Sequence, residues 1–242
     1  MTELDRRHYF LTEEEFALCC ITAGIDHICG FRPMQRETFS QTEAVETVFG
    51  MVRRSFLRIE GGQFILAREL SDCFRTIQES DRVLLADCGH GPCCLLYGDG
   101  EMFVSLRPGE RTEDYVCLAR YRREELDVWL SDQSLLPAEC IAEDLLDSAQ
   151  CGVLPEVEDR GLADYLARCL CPEAEEAPIV PFPQGIAFCL EGRGVFDRRL
   201  LSRAILVRQP LFDRLMSWSE SGTKDCLCGV GALTDFIVNL WR

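Results

Sequence analysis

One lysine, Lys224, stands against 24 arginines in 242 residues, and histidine is almost as scarce, with only His8, His27 and His90. The shortage of lysine reads as genomic base bias, not as function. Three histidines leave little for acid–base chemistry near neutral pH. GxSxG, the P-loop, HExxH and GxGxxG are all missing, so common routes to acyl transfer, phosphoryl transfer, zinc-dependent hydrolysis and dinucleotide binding lack their residues. The longest mostly apolar stretch, Phe16 to Ile25, has 10 residues, about half a membrane span. Residues Met1 to Asp5 carry acid where an export leader carries base, and no apolar core of a leader follows directly; the expected location is the cytoplasm. No run of like charge is long enough to form a tail. Together these absences lead to the expectation of a non-enzyme that binds, with no cofactor implied.

What is present suits a folded protein. The chain is 47% hydrophobic and 27% charged, ordinary values that exclude disorder and allow a substantial core in one large domain or two closely packed halves. Net charge is −16, a potential that repels nucleic-acid backbones and anionic lipid. The 15 cysteines are odd in number and come without an export signal, so a disulfide framework is not expected. Cys19, Cys20, Cys73, Cys117 and Cys189 fall on apolar faces, where a reduced thiol acts as a small hydrophobe.

One cysteine cluster has metal-friendly spacing: Cys88, His90, Cys93 and Cys94. Gly89, Gly91 and Pro92 also read as a tight turn between two strands, and no second CxxC pair completes a site. Cys169/Cys171 and Cys226/Cys228 are spaced i,i+2, without closing a four-ligand set. A metal site is therefore not expected, and these four residues remain the weak candidates for one.

A short segment occurs twice. Thr112 to Cys117 leads into a helix closing with Trp129 and Leu130, and Thr223 to Cys228 leads into a helix closing with Leu240 and Trp241. From Asp114 to Trp129 is 15 residues and from Asp225 to Trp241 is 16. A strand, then an amphipathic helix with a terminal Trp, used twice, predicts two pseudo-symmetric halves.

The first eighty residues predict a unit of their own. Thr12 to Glu15 is a capping box, with Leu11 and Phe16 placed as a hydrophobic staple. Phe16, Cys19, Cys20 and Ala23 repeat as one helical face. Ser40 to Glu43 is a second capping box, opening a helix whose expected buried stripe is Val45, Val48, Phe49, Val52 and Phe56. Leu57/Ile59 and Phe64/Leu66 alternate around Gly61-Gly62, which predicts a hairpin. Leu70, Cys73, Phe74 and Ile77 mark a third helix. The order is winged-helix-like over 11–80, but residues 1–80 hold 9 basic and 13 acidic side chains. A reader of DNA gains its affinity by releasing counterions from the phosphates. Glu43 and Glu46 early in the second helix, with Arg53 and Arg54 only at its end, do not supply that.

Residues 82–87, 93–97, 102–106 and 115–120 alternate as strands joined by short turns, predicting an antiparallel meander. A helix follows over 122–131 with Leu126, Trp129 and Leu130 inward. Further helices are expected over 138–148 (Ile141, Leu145, Leu146) and 159–170 (Leu162, Leu166, Cys169). An acidic, proline-rich loop spans 172–183. Strands near 185–190, 203–208, 212–218 and 224–229 precede a last helix, 231–241, with Leu233, Phe236, Ile237, Leu240 and Trp241 as its stripe. The expected fold is α+β. It has an N-terminal half over 1–134 and a C-terminal half over 135–242, with antiparallel sheets flanked by helices that either pair or pack back to back.

This order resembles the type VII (ESX) secretion chaperones of the EspG kind and the related cytoplasmic chaperones of Firmicutes type VII systems. The likeness rests on Leu11-Thr12-Glu13-Glu14-Glu15-Phe16 opening the first helix, on Thr42 through Leu57 leading into the hairpin Arg58 to Leu66, and on Asp225 to Gly229 running into the final helix. It is a likeness of pattern over most of the chain, and the cysteines and the 172–183 loop have no counterpart. The resemblance implies a cytoplasmic adaptor that shields the apolar tip of a helical-hairpin secretion substrate until export.

The partner-binding surface expected on composition is the hairpin around Tyr97, Gly98, Asp99, Met102 and Phe103, which combines aromatic and Met side chains with a Gly-Asp-Gly tip. Taken singly, Tyr97 and Phe103 also read as core or cross-strand partners. Two alternatives stand beside the adaptor: a winged-helix transcriptional regulator or other interaction module, and a metal- or thiol-dependent protein built on the Cys88–Cys94 cluster.

Overall fold

The computed structural model describes residues 8–26, 28, 40–89, 92–108, 115–137, 160–170, 182–208 and 213–242. The expected helix over 138–148, most of the 172–183 loop, His27, Cys29, His90 and the Thr112–Asp114 start of the first repeat lie outside them.

Among the described residues the fold is α+β, with six helices, a nine-stranded antiparallel sheet of order β1-β7-β6-β5-β4-β8-β9-β10-β11, and a two-stranded sheet β2-β3. The strands are β1 (His8–Thr12), β2 (Leu57–Glu60), β3 (Gln63–Leu66), β4 (Arg82–Asp87), β5 (Pro92–Gly98), β6 (Met102–Pro108), β7 (Tyr115–Arg122), β8 (Ile186–Gly194), β9 (Leu200–Arg208), β10 (Asp213–Ser219) and β11 (Gly222–Leu227). The helices are α1 (Glu13–Ala23), α2 (Gln41–Arg53), α3 (Arg68–Glu79), α4 (Leu126–Asp132), α5 (Arg160–Cys169) and α6 (Val230–Leu240). The chain forms two compact units: residues 1–80 with 95–122, and residues 81–94 with 123–242.

In the first unit both capping boxes form. Thr12 Oγ1 accepts from the Glu15 amide at 3.2 Å while Glu15 Oε2 accepts from the Thr12 amide at 3.1 Å. Ser40 and Glu43 repeat the exchange at 3.2 and 2.9 Å. Each box satisfies two amides that a helix start otherwise leaves unpaired. Helix α1 packs against α2, α3 and β7, and its Phe16 ring meets Phe74 of α3 at 5.6 Å between centroids. Leu70, Cys73, Phe74 and Ile77 of α3 are all buried, each such side chain stabilising the fold by roughly 1.5–3 kcal/mol for the larger ones. The β2–β3 hairpin turns on Gly61 and Gly62 at φ 57° and 80°, the left-handed region that glycine enters without a Cβ clash. Leu57 pairs with Leu66 and Ile59 with Phe64.

One strand went unread and two expectations need correction. Residues 8–12 are a strand, β1, pairing antiparallel with β7 through Leu11↔Val116; five residues with one buried side chain give almost no period to read. The apolar stripe assigned to the interior of α2 is largely outside. Val45, Phe49 and Val52 are exposed, and the helix instead buries Met51, with Ala44, Thr47 and Val48 turned partly inward. The helix is apolar on two faces, so periodicity alone did not choose between them. Finally, the segment after β7 starts as a 3-10 turn at Arg123–Glu125 before α4.

The second unit sandwiches strands between helices. Cys189, Ile205 and Val207 pack under Leu162, Tyr165, Leu166 and Cys169 of α5. The alternate residues of β9, Ser202, Ala204 and Leu206, are buried as well, and α6 packs against this strand and against α4. A strand covered on both faces loses its polar alternation. Close approach is clearest at Gly192, where an added Cβ would lie 2.4 Å from Leu240 Cδ1 and 2.6 Å from Ser202 Oγ. Strand β4, from the first half of the sequence, pairs with β8, from the second half, through Leu84↔Gly192 and Ala86↔Leu190. Trp129 in α4 is fully buried.

Candidate partner-binding surfaces

The β5–β6 hairpin is built in a way that separates its apolar from its polar residues. Asp99 Oδ1 accepts from the amides of Glu101 and Met102 at 2.9 and 2.8 Å, an Asx turn that sets the tip. Ser80 Oγ, at the end of α3, donates to the Gly98 carbonyl at 2.9 Å and accepts from the Gly98 amide at 3.2 Å. The Phe103 ring lies over Gly98 so closely that a Cβ there would be 2.5 Å from its Cδ1. Tyr97 and Phe103 are therefore interior, at 1% and 0% exposure, as cross-strand partners would be. The tip offers exposed Asp99 and Glu101, with Met102 half-buried.

Of the weak metal candidates, Cys94 is buried and Cys88 exposed, and His90 and the Cys93 side chain lie outside the described residues. No group of three metal-capable side chains converges among the described residues. Burial raises the thiols of Cys20, Cys73 and Cys228 to about 12, which keeps them protonated and unreactive. The reading of these cysteines as small hydrophobes holds for Cys19, Cys20, Cys73, Cys117 and Cys189, all buried.

Two surfaces escaped the reading of the sequence. The first, in the first unit, is the outer face of α2, with Phe49 66% exposed between Val45 and Val52, together with exposed Ile59 and Phe64 on the β2–β3 hairpin. The second, in the second unit, is an open groove of about 1050 Å³ between α6 and the face of β9, β10 and β11. Its apolar lining comes from Leu215, Ala232, Phe236 and Leu240, and Phe196 stands at its mouth, 86% exposed. Lys224, the single lysine, and Asp235 are charged positions along the groove. The hydroxyl of Ser202, which also lines the groove, is buried and has no hydrogen-bond partner among the described residues. An apolar floor with a charged rim is the usual anatomy of a site for another polypeptide. The register makes this groove: Leu215↔Cys226 and Ser217↔Lys224 place those residues on the α6 side, while Arg214 and Asp225 bond to each other at 2.6 Å. The groove exists only once α6 has folded back across the paired strands, so no local pattern announces it.

Comparison with known proteins follows the fold. No family model matches the chain, and no curated protein matches it. Among solved structures, the chain is similar in fold to EspG5, the type VII secretion system chaperone of Mycobacterium tuberculosis, determined in complex with a PE25–PPE41 dimer. The TM-score is 0.51 at 11% identity, covering 96% of this chain and 95% of EspG5. At that identity the likeness is one of fold. It extends over nearly the whole of both chains, where the likeness of sequence pattern covered most of this one.

Proposed function

We propose that this protein is a cytoplasmic adaptor of the secretion-chaperone type, a binding protein without catalytic activity that holds a helical-hairpin client in an export-competent state. The observation that carries this reading is the end-to-end fold likeness to a type VII secretion system chaperone whose structure is in complex with a PE25–PPE41 dimer. The groove beside α6 supports it: an apolar floor bordered by Phe196 and Phe236 suits the apolar ridge of a client helix, and its charged rim supplies selectivity. No helix among the described residues is long and apolar enough to cross a membrane. The hairpin at Tyr97, Gly98, Asp99, Met102 and Phe103 is the second contact we propose; Asp99 and Met102 would touch the client, and the buried Tyr97 and Phe103 would hold the tip in shape.

The test is co-expression with each small helical-hairpin protein encoded beside the gene, followed by size-exclusion chromatography. A stable complex is expected with one of them. Phe236→Asp and Phe196→Asp should each weaken it, while Phe196→Asp leaves thermal unfolding unchanged. If no neighbour binds, or if binding survives both substitutions, the reading or its groove, respectively, is wrong.

A further inference from the structure

Helix α2 carries an apolar stripe that the described residues of its own unit leave exposed. At about 100° per residue, Val45, Phe49 and Val52 fall within an arc of roughly 60°, and all three are exposed. One flank of that stripe holds two charges of opposite sign. Glu46 and Arg53 are seven residues apart, so they point within about 20° of each other and are separated along the axis by roughly 10.5 Å. Both are exposed, and neither forms an ion pair among the described residues. The other nearby ions are engaged: Glu43 closes the Ser40 box, and Arg54 binds Glu15 at 2.6 Å.

A flank that is negative towards the N-terminus and positive towards the C-terminus is complementary to itself when run in reverse. We propose that two copies of this chain associate through α2, antiparallel about a two-fold axis near Phe49. In that arrangement Phe49 meets its counterpart, Val45 faces Val52 of the other copy, and each Glu46 comes opposite the other copy's Arg53. A two-fold axis normal to the helix axes and lying in the contact plane leaves the charged flank on the same side in both copies. Both ion pairs then form at once, and the same patch serves both subunits. An unrelated partner helix would need its own matched charges, whereas a second copy supplies them from sequence already on hand. Three side chains and two rim ion pairs make a small interface, so the dimer is expected to exchange in the micromolar range.

Sedimentation of the full chain from low to high micromolar concentration should show a reversible monomer–dimer equilibrium. Phe49→Asp, at a side chain already in solvent, should give a monomer with unchanged thermal unfolding. Glu46→Arg and Arg53→Glu should each weaken the dimer about tenfold, as two attractive pairs become repulsive. The double variant Glu46→Arg/Arg53→Glu should restore it, a recovery that general surface damage cannot give. A chain that stays monomeric throughout, or a double variant no better than the singles, overturns the proposal. Loss of client capture by Phe49→Asp in a chain that remains monomeric would overturn it too, because the face would then belong to the client.

Discussion

Arg203 of β9 sits directly opposite Glu191 of β8 and is fully buried, donating from Nε to Glu191 Oε1 at 2.9 Å and from Nη1 to the Cys169 carbonyl at 2.7 Å. Arg193 adds a second guanidinium to Glu191 Oε2 at 2.7 Å. One side chain thus ties two central strands to the carboxyl end of α5, where a cation also meets the negative end of the helix dipole.

Breaking this cluster from one side should be worse than removing it. Glu191→Ala leaves a buried guanidinium without its counter-ion and should lower stability by about 3–5 kcal/mol. Glu191→Leu combined with Arg203→Met replaces the pair by apolar side chains and should recover much of that loss. Urea unfolding of the single and double variants measures the difference. Equal destabilisation of the two would show that the ion pair is not the element lost.

The buried thiols predict an alkaline limit. Cys20, Cys73 and Cys228 rise from 9.0 to about 12 because burial disfavours the thiolate. Below pH 9 the thiols are neutral in both folded and unfolded chains, and stability is unaffected by them. Above it the unfolded chain ionises first, so stability should fall progressively between pH 9 and pH 12. Replacing Cys73 by Ala or Val should flatten part of that slope, read from urea midpoints across the range. In the native protein at pH 8, iodoacetamide should label Cys88 and Cys226, which are exposed, ahead of these three.

The first capping box should matter more than the second. Thr12→Ala should destabilise by about 1 kcal/mol. Glu15→Ala should exceed that, because Glu15 is buried and its carboxylate also holds Arg54 through both oxygens at 2.8 and 2.6 Å. Glu43→Ala, at an exposed carboxylate bonded only to Ser40 among the described residues, should cost the least of the three. Chemical unfolding of the three variants sets the order.

At the β5–β6 hairpin the space over Gly98 is taken. Gly98→Ala should destabilise by about 1–3 kcal/mol, since the Phe103 ring and the Met102 carbonyl both lie within 2.9 Å of the new methyl. Adding Phe103→Leu should return part of the loss. A Gly98→Ala protein as stable as the parent would mean the ring moves freely.

Much of the secondary structure could be read from local signals because each needs only neighbours in the chain. Thr12/Glu15 and Ser40/Glu43 cap helices within four residues, Gly61-Gly62 permits a left-handed turn wherever it occurs, and Leu70, Cys73, Phe74 and Ile77 form one face at helical spacing. Strands β8 and β9 proved longer than their apolar cores, running through Glu191 and Arg203. Glu191 lies just past the expected end of β8 and Arg203 at the expected start of β9, and only the pairing sets one against the other. Strand β1 is likewise defined by its partner β7 and not by its own residues.

The amino-acid order by itself determined where helices start, where hairpins turn and which thiols are hydrophobic, since capping, glycine backbone freedom and side-chain period act over a few residues. Only the tertiary structure decided which face of α2 is buried, that Tyr97 and Phe103 are interior, and that Leu215, Phe236 and Leu240 enclose a groove. Those outcomes depend on which distant segments arrive to cover an apolar surface, and an apolar residue carries the same pattern whether or not something arrives.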